Sequence, residues 1–95
     1  MSDIGHFGRD DLMAIAAVRY CIGRSTYIVG DCVDWMIQHW SKWSPNCRAV
    51  IARDLNAEFK RDDEARERGD KYKPLGWDCD RREWERARQM IEANT

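Results

Sequence analysis

The chain has 95 residues, enough for one domain and too few for two. Its 16 basic and 17 acidic residues leave a formal net charge of -1. That balance excludes a general duplex-DNA binder, which needs a basic surplus to displace condensed counterions, but it leaves room for a local basic pocket.

Five tryptophans, three tyrosines and two phenylalanines give a short chain large rings to bury, each worth roughly 150–250 Å². Folding without covalent staples is therefore expected, and a domain this small also gains by completing its core against a second copy, so a homo-oligomer is expected. The first residues show no apolar run behind a basic start, and no stretch approaches the roughly 18 apolar residues of a membrane span. A cytoplasmic protein that does not enter membranes follows. In that reducing compartment Cys21, Cys32, Cys47 and Cys79 are expected as free thiols.

Residues 1–9 read as a mobile start. The first helix begins at Asp10 or Asp11, with Leu12, Ile15, Ala16, Arg19 and Ile22 at helical spacing. Gly23 stops it, because glycine takes the left-handed conformation at a helix end without a Cβ penalty. Residues 25–29 are β-branched and aromatic and read as an extended connector. The second helix then starts at Asp31, whose carboxylate suits the positive helix end, and buries Val33, Met36, Ile37 and Trp40. Ser44 and Pro45 mark the next start, as N-cap and first helical residue. The third helix carries Cys47, Ile51, Leu55 and Phe59 at four-residue spacing. Beyond Phe59 the apolar stripe ends. Residues 60–73 form a charged, exposed helix extension to Gly69 and then a loop, supported by pairs such as Asp62 with Arg66 and Glu64 with Arg68. Lys71, Tyr72, Lys73 and Pro74 break the helix. A last helix starts at Asp80, with Glu83 three residues on, and packs Trp84, Ala87 and Ile91. The reading is an all-α, compact bundle of about four helices with an extended turn after the first.

Catalytic and metal chemistry find little support. The cysteines are 11, 15 and 32 positions apart, without a paired start for a zinc site. Residues 77–80 hold two carboxylates and a thiol but lack the alternating ligands and glycine of a calcium loop. His6 and His39 are the only imidazoles, no nucleophile turn precedes them, and the glycines are scattered rather than gathered into a phosphate loop. No catalytic residue, metal or cofactor is assigned.

The stretch from Arg19 to Tyr27 differs. Arg19 and Arg24 offer planar, bidentate recognition of phosphate. Tyr20 and Tyr27 offer stacking faces, and Thr26 a hydroxyl. A competing structural reading pairs Arg19 with Asp34 or Asp54 inside the bundle. Trp35 lies off the stripe that holds Trp40, beside His39, and so needs a ligand, another element or a partner against it.

The order of features resembles a group of small proteins encoded by tailed phages and prophages. The resemblance rests on Arg19, Tyr20, Gly23, Arg24, Thr26 and Tyr27, then Asp34 and Trp35, then Leu75, Gly76, Asp78, Asp80, Glu83 and Trp84. It spans nearly the whole chain, although the charged segment 60–73 is longer than the pattern requires. It implies a counter-defence protein that sequesters a nucleotide-derived immune signal, a cyclic nucleotide or an ADP-ribose derivative, without degrading it. Arg19, Arg24 and Thr26 would hold phosphate, and Tyr20, Tyr27 and Trp35 would stack the base. The alternative is an anti-CRISPR-like inhibitor that contacts a host defence protein directly.

Overall fold

The computed structural model describes residues 8–24 and 26–94, except for the side chain of Thr26. Within them the chain forms α1 (Arg9–Cys21), α2 (Thr26–His39), one 3₁₀ turn (Trp40–Lys42), α3 (Pro45–Arg68) and α4 (Asp78–Ala93), with no strand. The cross-contacts fix the directions of the helices. Asp11 meets the start of α3, accepting from the Ser44 N–H at 3.3 Å, and Arg19 meets Asp54 further along it, so α1 and α3 run together. Gly30 faces Glu83 and Asp34 pairs with Arg86, so α2 and α4 also run together. The result is an up-down-up-down all-α bundle, with a radius of gyration of 13.4 Å. No helix among the described residues is long and apolar enough to cross a membrane.

The core is contributed by every helix. Val18, Val29, Val33, Met36, Ile51, Leu55, Phe59 and Trp84 are all buried. Trp84 is fully enclosed, and its indole Nε1 has no hydrogen-bond partner among the described residues. The four-residue stripe Cys47, Ile51, Leu55, Phe59 is buried as its spacing predicts, as are Trp84, Ala87 and Ile91. Ser44 caps α3 through its hydroxyl, which accepts the Cys47 N–H at 3.2 Å. Gly69 ends the helix with φ 72°. Its N–H donates to Arg66 and that of Asp70 to Ala65, the paired bonds of a Schellman ending. The cysteines are free thiols, three buried and Cys79 exposed. Burial pushes the Cys47 thiol up to about 11, with Asp11 adding to the effect, and raises Cys32, where a hydrogen bond with Cys21 adds.

Four expectations are corrected. Residues 26–30 are helical, not an extended connector, and Asp31 sits inside α2. Val29, Cys32, Val33 and Met36 recur at helical spacing and are all buried, so packing overrides the weak β preference of the branched residues. Helix α1 starts at Arg9 and buries Ala14, Ile15, Val18 and Cys21, a face turned away from the one that included Ala16 and Arg19. Helix α4 starts at Asp78, and Asp80 is its third residue, reaching back to accept the Trp77 N–H at 2.9 Å. Finally, the stripe of α3 does not end at Phe59. It continues through Asp62, fully buried, and Ala65.

Residues 1–7, where a mobile start is expected, lie outside the described residues.

Candidate functional site

The segment between α3 and α4 is strapped down by the buried carboxylate of Asp62. It accepts from Arg66 Nε at 2.6 Å, from the Leu75 N–H at 3.0 Å and from Arg81 Nη1. Burial alone would raise its pKa; the bonds from Arg66, Leu75 and Arg81 outweigh burial and hold the carboxyl below its ordinary value. Arg66 goes on to bind Asp78 at 2.9 Å and the Gly76 carbonyl at 2.9 Å. Arg81 also binds Asp63 and Glu85, and its guanidinium lies over the Phe59 ring at 4.8 Å. Pro74 opens the next turn, closed by Gly76 N–H donating to the Lys73 carbonyl at 2.9 Å. Gly76 has φ 81°, and a Cβ there would fall within 3.0 Å of Asp80 Cβ and Cγ, so only glycine fits.

This anchored segment faces the α1–α2 turn, and between them lies a cleft of about 420 Å³. Gly23 and Arg24 form one wall; Lys71, Tyr72, Lys73, Gly76, Trp77 and Asp80 form the other. Gly23 has φ 82°, and the Arg24 N–H donates to the Cys21 carbonyl at 3.1 Å, which turns Arg24 out of α1. The Arg24 guanidinium then lies over the Tyr20 ring, 4.4 Å from its centroid.

Neither Arg24 nor Lys71 makes an ion pair among the described residues, and Lys73 donates to the Asp70 carbonyl at 3.0 Å. Tyr72 and Trp77 are 72% and 74% exposed, an unusual state for a tryptophan. The carboxylate of Asp80 is already committed to the start of α4. The positive charge of the cleft is therefore carried by side chains rather than by a free helix end. It presents three cations and two ring faces, and no His, Cys or Ser among the described residues lines it.

The sequence-predicted residues are split by the structure. Arg24 and its support Tyr20 belong to this cleft. Arg19 does not: it pairs with Asp54 at 2.8 Å in a separate groove between α1 and α3, at the surface rather than inside the bundle. Tyr27 is 88% exposed on the first turn of α2 and outside the cleft lining. Trp35 sits nine residues further along α2 than Thr26, roughly 13 Å, and is occupied internally. Its ring packs against Trp43 at 5.0 Å and His39 at 5.8 Å, and its carbonyl is bonded to His39 Nδ1 at 2.9 Å. The side chain of Thr26 lies outside the described residues.

In the sequence Lys71, Tyr72 and Lys73 read as a helix break, and Trp77 as part of the 77–80 stretch that leads into the last helix. The alternation of cation and ring that singles out Arg19 to Tyr27 is the same signal there. Among the described residues no three His, Cys, Asp or Glu side chains are grouped to hold a metal ion.

Fold and site together define a small all-α domain with a basic, aromatic surface cleft built on a rigid strap. No protein-family model, curated protein or solved structure matches the chain.

Proposed function

We propose that the protein is a non-catalytic binding protein for a phosphorylated ligand that carries a planar ring, a nucleotide or nucleotide derivative. One observation carries the reading: Arg24, Lys71 and Lys73, which make no ion pair among the described residues, converge on a cleft that also exposes Tyr72 and Trp77 and holds only one carboxylate, Asp80. Its volume of about 420 Å³ lies within the range of roughly 300–1,000 Å³ common for small-molecule sites. Arg24 supplies a planar fork for phosphate oxygens, held in place by Tyr20. Lys71 and Lys73 supply point charges, and Trp77 and Tyr72 supply faces for a base, each stack worth about 1–3 kcal/mol.

On this reading the molecule acts by sequestration, as a phage counter-defence protein that withdraws a nucleotide-derived immune signal from its receptor. Calorimetry against ADP, cyclic di- and trinucleotides and ADP-ribose derivatives tests it. At least one is expected to bind, and Arg24→Ala to weaken that binding more than tenfold with the melting temperature held. A folded protein that binds none of them overturns the proposal.

A second reading, direct inhibition of a host defence protein, is favoured by the exposed rings Tyr20, Tyr27, Tyr72 and Trp77 clustered near one end of the bundle. Capture of a stoichiometric protein partner, lost with Tyr27→Ala and kept with Lys71→Ala, would favour it over the first.

A further inference from the structure

A second, smaller cavity of about 180 Å³ lies on the other side of Tyr72, which lines both. Its walls are Arg61, Glu64, Arg68, Asp70 and Pro74, with Ala65 at the base. Its charge is arranged differently from that of the cleft. Arg61 is paired with Glu58 at 2.8 Å and Arg68 with Asp70 at 2.9 Å, so both guanidiniums are already neutralised. Glu64 makes no direct ion pair among the described residues and stands near Arg68. A phosphate entering here would meet paired arginines and a carboxylate, which repel it or offer it little. A hydroxylated ring would meet carboxylate acceptors, guanidinium N–H donors and the face of Tyr72. The volume suits one ring and not a second nucleoside.

The main cleft adds a constraint of its own. Arg24, Lys71 and Lys73 against Asp80 leave a formal surplus of two positive charges. A diphosphate esterified at both ends carries two negative charges in one compact group. A single strand or a cyclic dinucleotide instead places its phosphates apart and needs a second cationic site, which the cavity beyond Tyr72 does not provide.

We infer that the ligand is a nucleoside diphosphate bearing a sugar, with the base and diphosphate in the main cleft and the terminal sugar beyond Tyr72, its hydroxyls donating to Glu64. This rests on the nucleotide reading of the main cleft and specifies which nucleotide derivative the site selects. It assigns Glu64 and Arg68 a part in specificity, and Tyr72 a ring face to each subsite.

The test is calorimetry on the full chain with three probes: ADP, ADP-ribose and cyclic di-AMP. ADP-ribose is expected to bind at least tenfold tighter than ADP, despite carrying less charge, and tighter than cyclic di-AMP. Glu64→Ala, an exposed helix position where alanine is well tolerated, is expected to lower ADP-ribose affinity to that of ADP and leave ADP binding unchanged. Arg68→Ala checks the same subsite independently. Equal binding of ADP and ADP-ribose, or no effect of either substitution on ADP-ribose, overturns the sugar subsite while the main cleft stands. Tighter binding of cyclic di-AMP overturns it as well. Binding of none of the three removes the nucleotide reading itself.

Discussion

Two groups of cations stand close together in this molecule and are treated in opposite ways. Around Asp62, Arg66 and Arg81 are shared out among Asp62, Asp63, Asp78 and Glu85, with a backbone carbonyl and the Phe59 ring taking what remains. In the neighbouring cleft Arg24 and Lys71 make no ion pair among the described residues, and the carboxylate that shares the cleft, Asp80, is taken up by the start of α4. A satisfied network fixes backbone; an unsatisfied one is ready for an outside anion. The first group holds in place the segment that displays the second, so structure and proposed function are joined at residues 69–77.

The largest expected effect comes from breaking the satisfied group. Asp62→Ala removes the acceptor for two guanidiniums and the Leu75 N–H. Loss of one partner from a buried pair costs about 3–5 kcal/mol. Arg66 and Arg81 keep Asp78 and Glu85, which places the expected loss near the lower end, at about 3 kcal/mol. Urea unfolding would measure it. Ligand affinity in the cleft should fall too, although Asp62 does not line it, because the 69–77 segment loses its anchor.

Acid should undo the same contribution by degrees. The Asp62 carboxyl titrates in the folded protein below its ordinary value of 3.8. Its stabilisation is therefore complete above that value and is lost as the pH falls through the lower, folded-state value. Stability followed by urea titration between pH 7 and pH 2.5 should drop below about pH 4. The drop should be shallower in Asp62→Asn, which has no proton to take up at that site. An identical acid slope in the variant would mean that other carboxylates govern acid unfolding.

The two walls of the cleft differ in rigidity, and their glycines report it. Gly23 and Gly76 have nearly the same φ, 82° and 81°, but a Cβ on Gly23 meets nothing within 4 Å among the described residues, whereas one on Gly76 collides with Asp80. Gly23→Ala carries only the left-handed backbone cost, about 1 kcal/mol. Gly76→Ala carries that cost and displaces the carboxylate that caps α4, for about 2–3 kcal/mol in all. Thermal melts of the two variants give the comparison directly. Equal losses would show that the 69–77 segment is no more constrained than the α1–α2 turn.

The parts of the fold legible in the sequence are those marked by a residue with one structural use. Ser44 and Pro45 start α3, Gly69 ends it, and Cys47, Ile51, Leu55 and Phe59 face inward. What was illegible involves residues whose environment is set by distant chain. Thr26 to Val29 look like strand former until Val29 is seen enclosed in a helical stripe. Asp62 looks like one more solvated acid in a charged run, and only Arg81 and Leu75, brought from further along the chain, make its burial tolerable. The site divides in the same way. Arg24 and Tyr20 stood out because cation and ring are adjacent on one turn, whereas the facing wall exists only because the Asp62 strap brings residues 71–77 against that turn.

Arg19 and Arg24 put the smallest effect to use. Both belong to the same cation-rich stretch, where the sequence offers Arg19 either as a phosphate ligand or, on the competing structural reading, as half of a pair buried inside the bundle. In the structure its guanidinium bonds Asp54 at the surface, more than half exposed. An exposed ion pair contributes about 0.2–1 kcal/mol, since water screens it and two long side chains are held still. Arg19→Ala should therefore lower stability by less than about 1 kcal/mol and, being outside the cleft, leave nucleotide affinity unchanged. Arg24→Ala should be as mild on the melt and severe on binding. The pair measured side by side separates the two roles: a binding loss for Arg19→Ala would extend the site into the α1–α3 groove, and a large stability loss would restore the buried pairing that the sequence suggested.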